Sequence, residues 1–404
     1  MSKITKQDVV DWANKYLGPE SYAIIYKREG KDPDEQKIAA PKITPIVTNR
    51  DSQSEFLSEI QTSQVQPIEP VFVDYKKDMS QFEAQPGIDV LYKKNETNDI
   101  FTLIYVFNTG TENDPALNLA FNYLSYLGTD KMTAEEIASE MYDIACSFYM
   151  NAGANQSSIQ ITGLSENMGK AMEIVEGLIA GAKPDEAILE NCKADMLKSR
   201  ADAKLNQSRC FGALQRYLFY GGDFIRRTTL TDPALQALTS EQLLAKIGGL
   251  MGKQHEVLYY GPQKETEIKS ALAEHHKVAA DLQPLEKKFS TLLPTDANKV
   301  VLAQYDAKQL YYLQFSNRGE KFDVAADPEI TLYNEYFGGG MNTIVFQEMR
   351  EARGLAYTAW ATLATPSNAN GDYSYYAFIA TQNDKMQKAV EAFDDIINNM
   401  PESE

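Results

Sequence analysis

The stretch "DIFTLIYVFNTG", residues 99–110, comes back in "QLYYLQFSNRG", residues 309–319, with one residue dropped. Both are rich in aromatic and β-branched residues, the composition of a strand that is buried on at least one face. Two further landmarks recur in the same way. "ENMGKAMEIVEGLI" (166–179) matches "DKMQKAVEAFDDII" (384–397), with acid, Met, Lys-Ala and terminal apolar residues in order. "ITKQDVVDWANKYLGPESYAIIYK" (4–27) resembles "LTSEQLLAKIGGLMGKQHEVLYYG" (238–261). The first landmark reads as a strand and the second as an amphipathic helix. The third reads as a capped helix followed by a closing strand, with Thr5–Asp8 and Thr239–Gln242 at the spacing of a capping box. Three matches with similar offsets indicate a repeated module.

The landmarks divide the chain. Residues 1–28 read as the tail of a preceding module, and the polar, Pro-containing residues 29–67 as a linker. Residues 68–270 make one complete module. Residues 271–297, around "LQPLEKKFSTLLPTDANK", form a second linker. Residues 298–404 begin another module that stops after its second landmark, so its closing helix and strand are not in this sequence. Within each module strand runs precede helical runs instead of alternating with them. That predicts an α+β fold with an antiparallel or mixed sheet covered by helices.

Composition narrows the function. The 404 residues are too many for one compact core. Apolar residues at 43% and charged residues at 24% are those of an ordinary globular protein. The net charge of −18 disfavours nucleic acid and anionic lipid as partners. No run of eighteen apolar residues marks a membrane span. The start "MSKITKQDVVDW" lacks the apolar region of a signal peptide. A soluble protein of periplasm or cytoplasm is expected. The three cysteines, Cys146, Cys192 and Cys210, form no metal knuckle and read as core thiols.

Several chemistries fail on spacing. "GGLMGKQ" (248–254) has Ile247 where a phosphate-binding loop needs Gly, and Gln254 where it needs Ser or Thr. No Gly-x-Ser-x-Gly elbow is present. The three histidines, His255, His275 and His276, lack the spacing of a zinc motif and read as solvated surface residues.

What remains is "YFGGGMNTIVFQEMREARGLAY", residues 336–357. Asn342 is expected to cap a helix from about Thr343 to Arg353, with Gly354 at the C′ position. Val345, Met349, Ala352 and Ala356 would form its buried stripe. Arg350 and Arg353 fall in the last turn. They either complement the helix dipole, or Arg350 joins Tyr357 as a pair of donors for a carbonyl oxygen that becomes negative. Gly338, Gly339 and Gly340 would let an extended substrate backbone approach closely.

This segment resembles the pitrilysin family of zinc peptidases, which includes mitochondrial processing peptidase and insulin-degrading enzyme. The resemblance rests on the Gly-rich turn, the helix, an Arg and a Tyr seven residues apart, and the strand "TAWATL" after them. It implies a molecule of two halves, each of two α+β modules. One half carries an inverted zinc motif, His-x-x-Glu-His with a distal Glu, and the other supplies an Arg–Tyr pair that reaches the bound peptide. Arg350 and Tyr357 stand where that pair would be. In "ALNLAFNYLSYLGTDKMTAEEIASEM" (116–141) the zinc motif would fall on Leu119, Ala120, Phe121, Asn122 and Tyr123, and the distal Glu near Lys198. None of these can do the original work. The resemblance therefore implies a C-terminal half that binds no metal. Its partners would be a peptide substrate and a complementary zinc-bearing half, in the same polypeptide or another. The alternative is a non-catalytic scaffold that binds peptides or partner proteins.

Overall fold

In the computed structural model, residues 3–20, 22–27, 30, 53–285 and 290–400 are described. The chain forms two compact units, Met1–Val71 and Phe72–Glu404.

In the first unit, helix α1 (Lys6–Tyr16) starts at Thr5, whose hydroxyl accepts from the Asp8 N–H while the Asp8 carboxylate accepts from the Thr5 N–H at 2.7 Å. The expected capping box is therefore formed. The expected strand after it is not: residues 22–27 pair with no strand among the described residues and expose their apolar side chains. A strand exists only where a neighbour takes up its N–H and C=O groups. Most of the predicted 29–67 linker lies outside the described residues, and its described part contains helix α2 (Glu55–Thr62).

The second unit opens with the short helix α3 (Tyr75–Asp78) and holds two sheets. The larger consists of β1 (Ser80–Gln85), β2 (Ile88–Lys94), β3 (Ile100–Phe107), β4 (Cys146–Ala152), β5 (Ser157–Leu164) and β6 (His255–Gly261). Its order is β1-β2-β6-β3-β5-β4, and every neighbouring pair is antiparallel except β2–β6. The mixed sheet and its helical cover bear out the α+β reading. The helices are α4 (Leu117–Leu124), α5 (Ala134–Asp143), α6 (Met168–Gly181), α7 (Glu186–Lys204), α8 (Gln207–Thr228), α9 (Asp232–Ala237), α10 (Ser240–Met251) and α11 (Glu265–His275).

The smaller sheet contains β7 (Gln309–Ser316), β8 (Thr358–Ala364) and β9 (Ser374–Gln382), in the order β7-β9-β8, antiparallel throughout. Helices α12 (Asp327–Phe337), α13 (Ile344–Phe346) and α14 (Met386–Asn398) cover it. This repeats the order β3-β5-β4 of the larger sheet. In both cases a 3₁₀ turn leads from the central strand into a helix, α6 or α14. Ala171, Ile174, Val175 and Leu178 of α6 are buried, and so are Ala389, Ala392, Phe393 and Ile396 at the matching positions of α14.

Each sheet has its own apolar core. Helix α8 joins them. It kinks at Gly221, whose φ of 80° suits glycine. Its Phe211 and Phe219 pack edge-on or tilted against Tyr311, Phe315, Tyr376 and Phe378 of the smaller sheet, with centroids 4.6–5.9 Å apart. Part of the segment read as a linker from 271 belongs to the larger core: His276 and Leu282 are buried, and Gln283 bridges to Lys253.

Candidate functional site

The segment 336–357 folds as a turn, a broken helix and a strand entry, and two of its three consecutive glycines are demanded by the protein's own backbone. A Cβ on Gly338 would lie 2.2 Å from the Ala361 carbonyl oxygen of β8, and one on Gly339 would lie 2.9 Å from that of Asn334. Only Gly340 of the three faces open space.

Asn342 does not cap the helix. Thr343 holds the N-cap position, with φ −79° and ψ 157°, and its hydroxyl donates to the Gly340 carbonyl at 2.6 Å. One short α-turn, α13, runs straight into a π-helical turn over Gln347–Ala352. The wider π turn shifts the residues after it around the axis. Val345, Met349 and Ala356 are buried as expected, but Ala352 is exposed. Such π turns are rare and recur at functional sites. Gly354 closes the helix at φ +56°, and the Leu355 N–H reaches back to the Met349 carbonyl at 2.9 Å. Thr381 donates to the Leu355 carbonyl and Lys385 to that of Gly354, so β9 and the turn after it fix the exit.

The two arginines of the turn are used differently. Arg353 donates to Glu348 at 3.3 Å and to Asp395 of α14 at 3.0 Å. These acceptors raise its pKa, and Asn399 with Arg353 lowers that of Asp395. Arg350 has no such partners. Its guanidinium lies 4.9 Å from the Phe346 ring centroid and 4.8 Å from that of Tyr357. Among the described residues its one ionic contact is Nε to the neighbouring Glu351 at 3.5 Å. Among the described residues it donates no hydrogen bond, and neither does the Tyr357 hydroxyl. Tyr357 is 71% exposed. Arg350 and Tyr357 thus meet, side by side, with their donors unspent. Phe346 belongs to this group although the sequence reading passed over it. Its position four residues before Arg350 on a helix was the available signal.

The positions that the resemblance sets against the zinc motif carry neither histidine nor carboxylate. Leu119 and Tyr123 are fully buried on α4, while Asn122 faces outward. The Tyr123 hydroxyl accepts from the Asp185 N–H at 2.7 Å and lies 2.8 Å from Ser240 Oγ and 3.1 Å from the Asp185 carbonyl. It ties α4 to the starts of α7 and α10. Lys198 pairs with Asp202 at 2.7 Å beside an open polar groove that Asp195 and Arg209 also line. A leucine, an outward amide, a hydrogen-bonded phenol and a lysine do not fit a zinc ion. No group of three His, Cys, Asp or Glu among the described residues could hold one.

The histidines correct the sequence reading. His255 and His276 are buried, not solvated, with their Nε2 atoms 2.9 Å apart. His255 Nδ1 lies 2.8 Å from the Lys253 carbonyl, which can only accept, so Nδ1 carries the proton. Neutral His255 then accepts at Nε2 from His276. The Nδ1 of His276 meets Glu176 of α6 at 2.5 Å. Burial holds the His255 pKa down to about 4. The pair was missed because 21 residues and one helix separate its members.

Three comparisons with known proteins bear on the fold and the family. Residues 254–403 match the peptidase M16 inactive domain. A 266-residue stretch is 22% identical to an uncharacterized zinc protease of Streptomyces coelicolor, covering 61% of this chain and 56% of that protein. The peptidase M16 inactive domain from Pseudomonas fluorescens superposes with a TM-score of 0.63 at 17% identity, covering 80% of each chain. The periplasmic protease PqqL from Escherichia coli superposes at 0.64 and 13% identity, covering 98% of this chain and 41% of PqqL. This chain thus spans about half the length of those two proteases. No helix among the described residues is long and apolar enough to cross a membrane. The chain thus resembles the peptidase M16 inactive domain in its fold and, over residues 254–403, in its sequence.

Proposed function

We propose that this chain is the C-terminal, non-catalytic half of a zinc-dependent endopeptidase of the pitrilysin type, acting on peptides or small unfolded proteins. Hydrolysis belongs to a complementary zinc-bearing half; this chain alone is inactive. Arg350 and Tyr357 bind the peptide and stabilise the oxygen that becomes negative during cleavage. Gly340 leaves room for the substrate backbone beside them.

The observation that carries this reading is the contrast within one helical turn. Arg353 is fully engaged with the protein, whereas Arg350 and Tyr357 touch each other and keep their N–H and O–H groups for something else. A scaffold has no evident use for that pair. The repeated strand order supports descent by duplication of one module. The α1 pattern supports reading residues 1–28 as the closing element of another module. Val9, Ala13 and Tyr16 match Leu243, Ile247 and Leu250, which α10 buries in the complete module, and Val9 and Tyr16 are exposed here.

The test is hydrolysis of a quenched fluorescent peptide library by this chain alone, by the chain with its zinc-bearing half, and by the mixture with a chelator. Activity in the mixture alone, abolished by the chelator, is expected. Activity from this chain alone would overturn the reading. Complex formation without hydrolysis would favour the scaffold.

A further inference from the structure

The site raises a mechanical question. An arginine has a long, mobile side chain, and holding it in one rotamer costs conformational entropy. Arg353 is held by two carboxylates, which consume its donors. Arg350 is held without such consumption. Among the described residues its only carboxylate contact is the 3.5 Å approach to Glu351, yet two aromatic ring centroids lie within 5 Å of the guanidinium carbon. A ring face attracts the cation through its quadrupole. The N–H donors of guanidinium lie in its plane and stay available when a ring covers its face. Of the two rings, Tyr357 is itself exposed and offered to the substrate. Phe346 is half-buried and has no polar group to offer. Its backbone is fixed on both sides, by fully buried Val345 and Met349 and by the Gln347 backbone N–H donating to the Thr343 carbonyl at 3.0 Å.

We infer that Phe346 is a positioning residue for Arg350: its ring sets the guanidinium beside Tyr357 while leaving the guanidinium donors free for a bound peptide. This rests on the function proposed above. It adds a third member to the pair and explains why the turn carries an aromatic residue at this place.

Phe346→Leu keeps the apolar bulk and removes the ring face. In the assembled enzyme it should lower kcat/KM roughly three- to tenfold, the range of one cation–π contact at a partly exposed site. The loss should fall more on kcat than on KM, and Phe346→Trp should restore it. In an Arg350→Ala background the same Phe346→Leu change should do nothing further, because no guanidinium remains to position. A second readout needs no activity. In this chain alone, labelled at arginine, the Arg350 side-chain resonances should be ring-shifted. They should move toward free-arginine values in Phe346→Leu and return in Phe346→Trp, with those of Arg353 unmoved.

The outcomes separate. If Arg350→Ala leaves kcat/KM unchanged, the proposed function fails, and the resonances alone judge the positioning. If Arg350→Ala is damaging but Phe346→Leu is silent, or acts equally with and without Arg350, the role of Phe346 is overturned and the proposed function stands.

Discussion

Helix α4 and the π turn at 347–352 treat their side chains in opposite ways. On α4 the residues that face inward belong to the core. Tyr123 now spends its hydroxyl on Asp185 and Ser240, and Leu119 packs among apolar neighbours. On the π turn the reverse holds: Met349 and Val345 do the packing while Arg350 is left with its donors unused. A buried polar group is stable only when its partners are supplied by the protein. A group that must serve a substrate has to stay partly exposed and unsatisfied. On the proposed function, Tyr123 and Arg350 fall on opposite sides of that line.

The sharpest way to break this comparison is at Arg350. In the assembled enzyme Arg350→Ala should lower kcat/KM by about 10²–10³ while leaving the melting temperature of this chain nearly unchanged. A loss below about fivefold would place Arg350 with the merely structural residues.

Acid is the next lever, and it acts on the buried histidines of the larger core. The folded pKa of His255 is about 4, below the unfolded value of about 6.5. Between those values the unfolded chain binds a proton that the folded chain refuses. Stability is therefore complete above pH 6.5 and falls as pH drops toward 4, by on the order of 3 kcal/mol for this one group. Urea midpoints measured from pH 7 to pH 4 should show the loss, and a His255→Leu variant should show a correspondingly shallower slope. Equal slopes would mean that His255 charges freely in the folded state.

Tyr123→Phe tests the other side of the comparison. It leaves the Asp185 N–H and the Ser240 hydroxyl short of a partner in the interior, a cost of about 1–3 kcal/mol by chemical denaturation. Peptide cleavage at saturating zinc-bearing half should not change. The smallest effect is expected at Arg353→Ala. Its ion pairs are half-exposed, so stability should fall by less than about 1 kcal/mol and activity should stay within a few-fold. A large loss of activity there would erase the distinction between the two arginines.

Much of this was legible in the chain. The β3 and β7 strands carry their aromatic, β-branched composition openly, and the α6 and α14 stripes repeat position by position. Arg350 and Tyr357 were legible as a pair through the likeness of their segment to known peptidases. Other features depend on contacts that no local pattern encodes. The π turn that exposes Ala352 leaves no local pattern, and the helix end is held by Thr381 of β9 and Lys385 of the turn after it, far along the chain. The strand expected at 22–27 had the right composition, but a strand needs a neighbour. The histidine pair had no motif, since one member lies on β6 and the other beyond α11.

The placement of β6 has a bearing on how the chain comes to be folded. This strand lies between β2 and β3, parallel to one and antiparallel to the other, although more than 140 residues separate it from β3 in sequence. Pairing across such a span is slow, because the loop must close before any contact rewards it. During synthesis β2 and β3 are complete long before residue 255 leaves the ribosome, and each waits with an unpaired edge. Such edges are where chains associate wrongly. The larger module is therefore expected to lean on chaperones until its last strand arrives, and to close late, at the middle of the sheet.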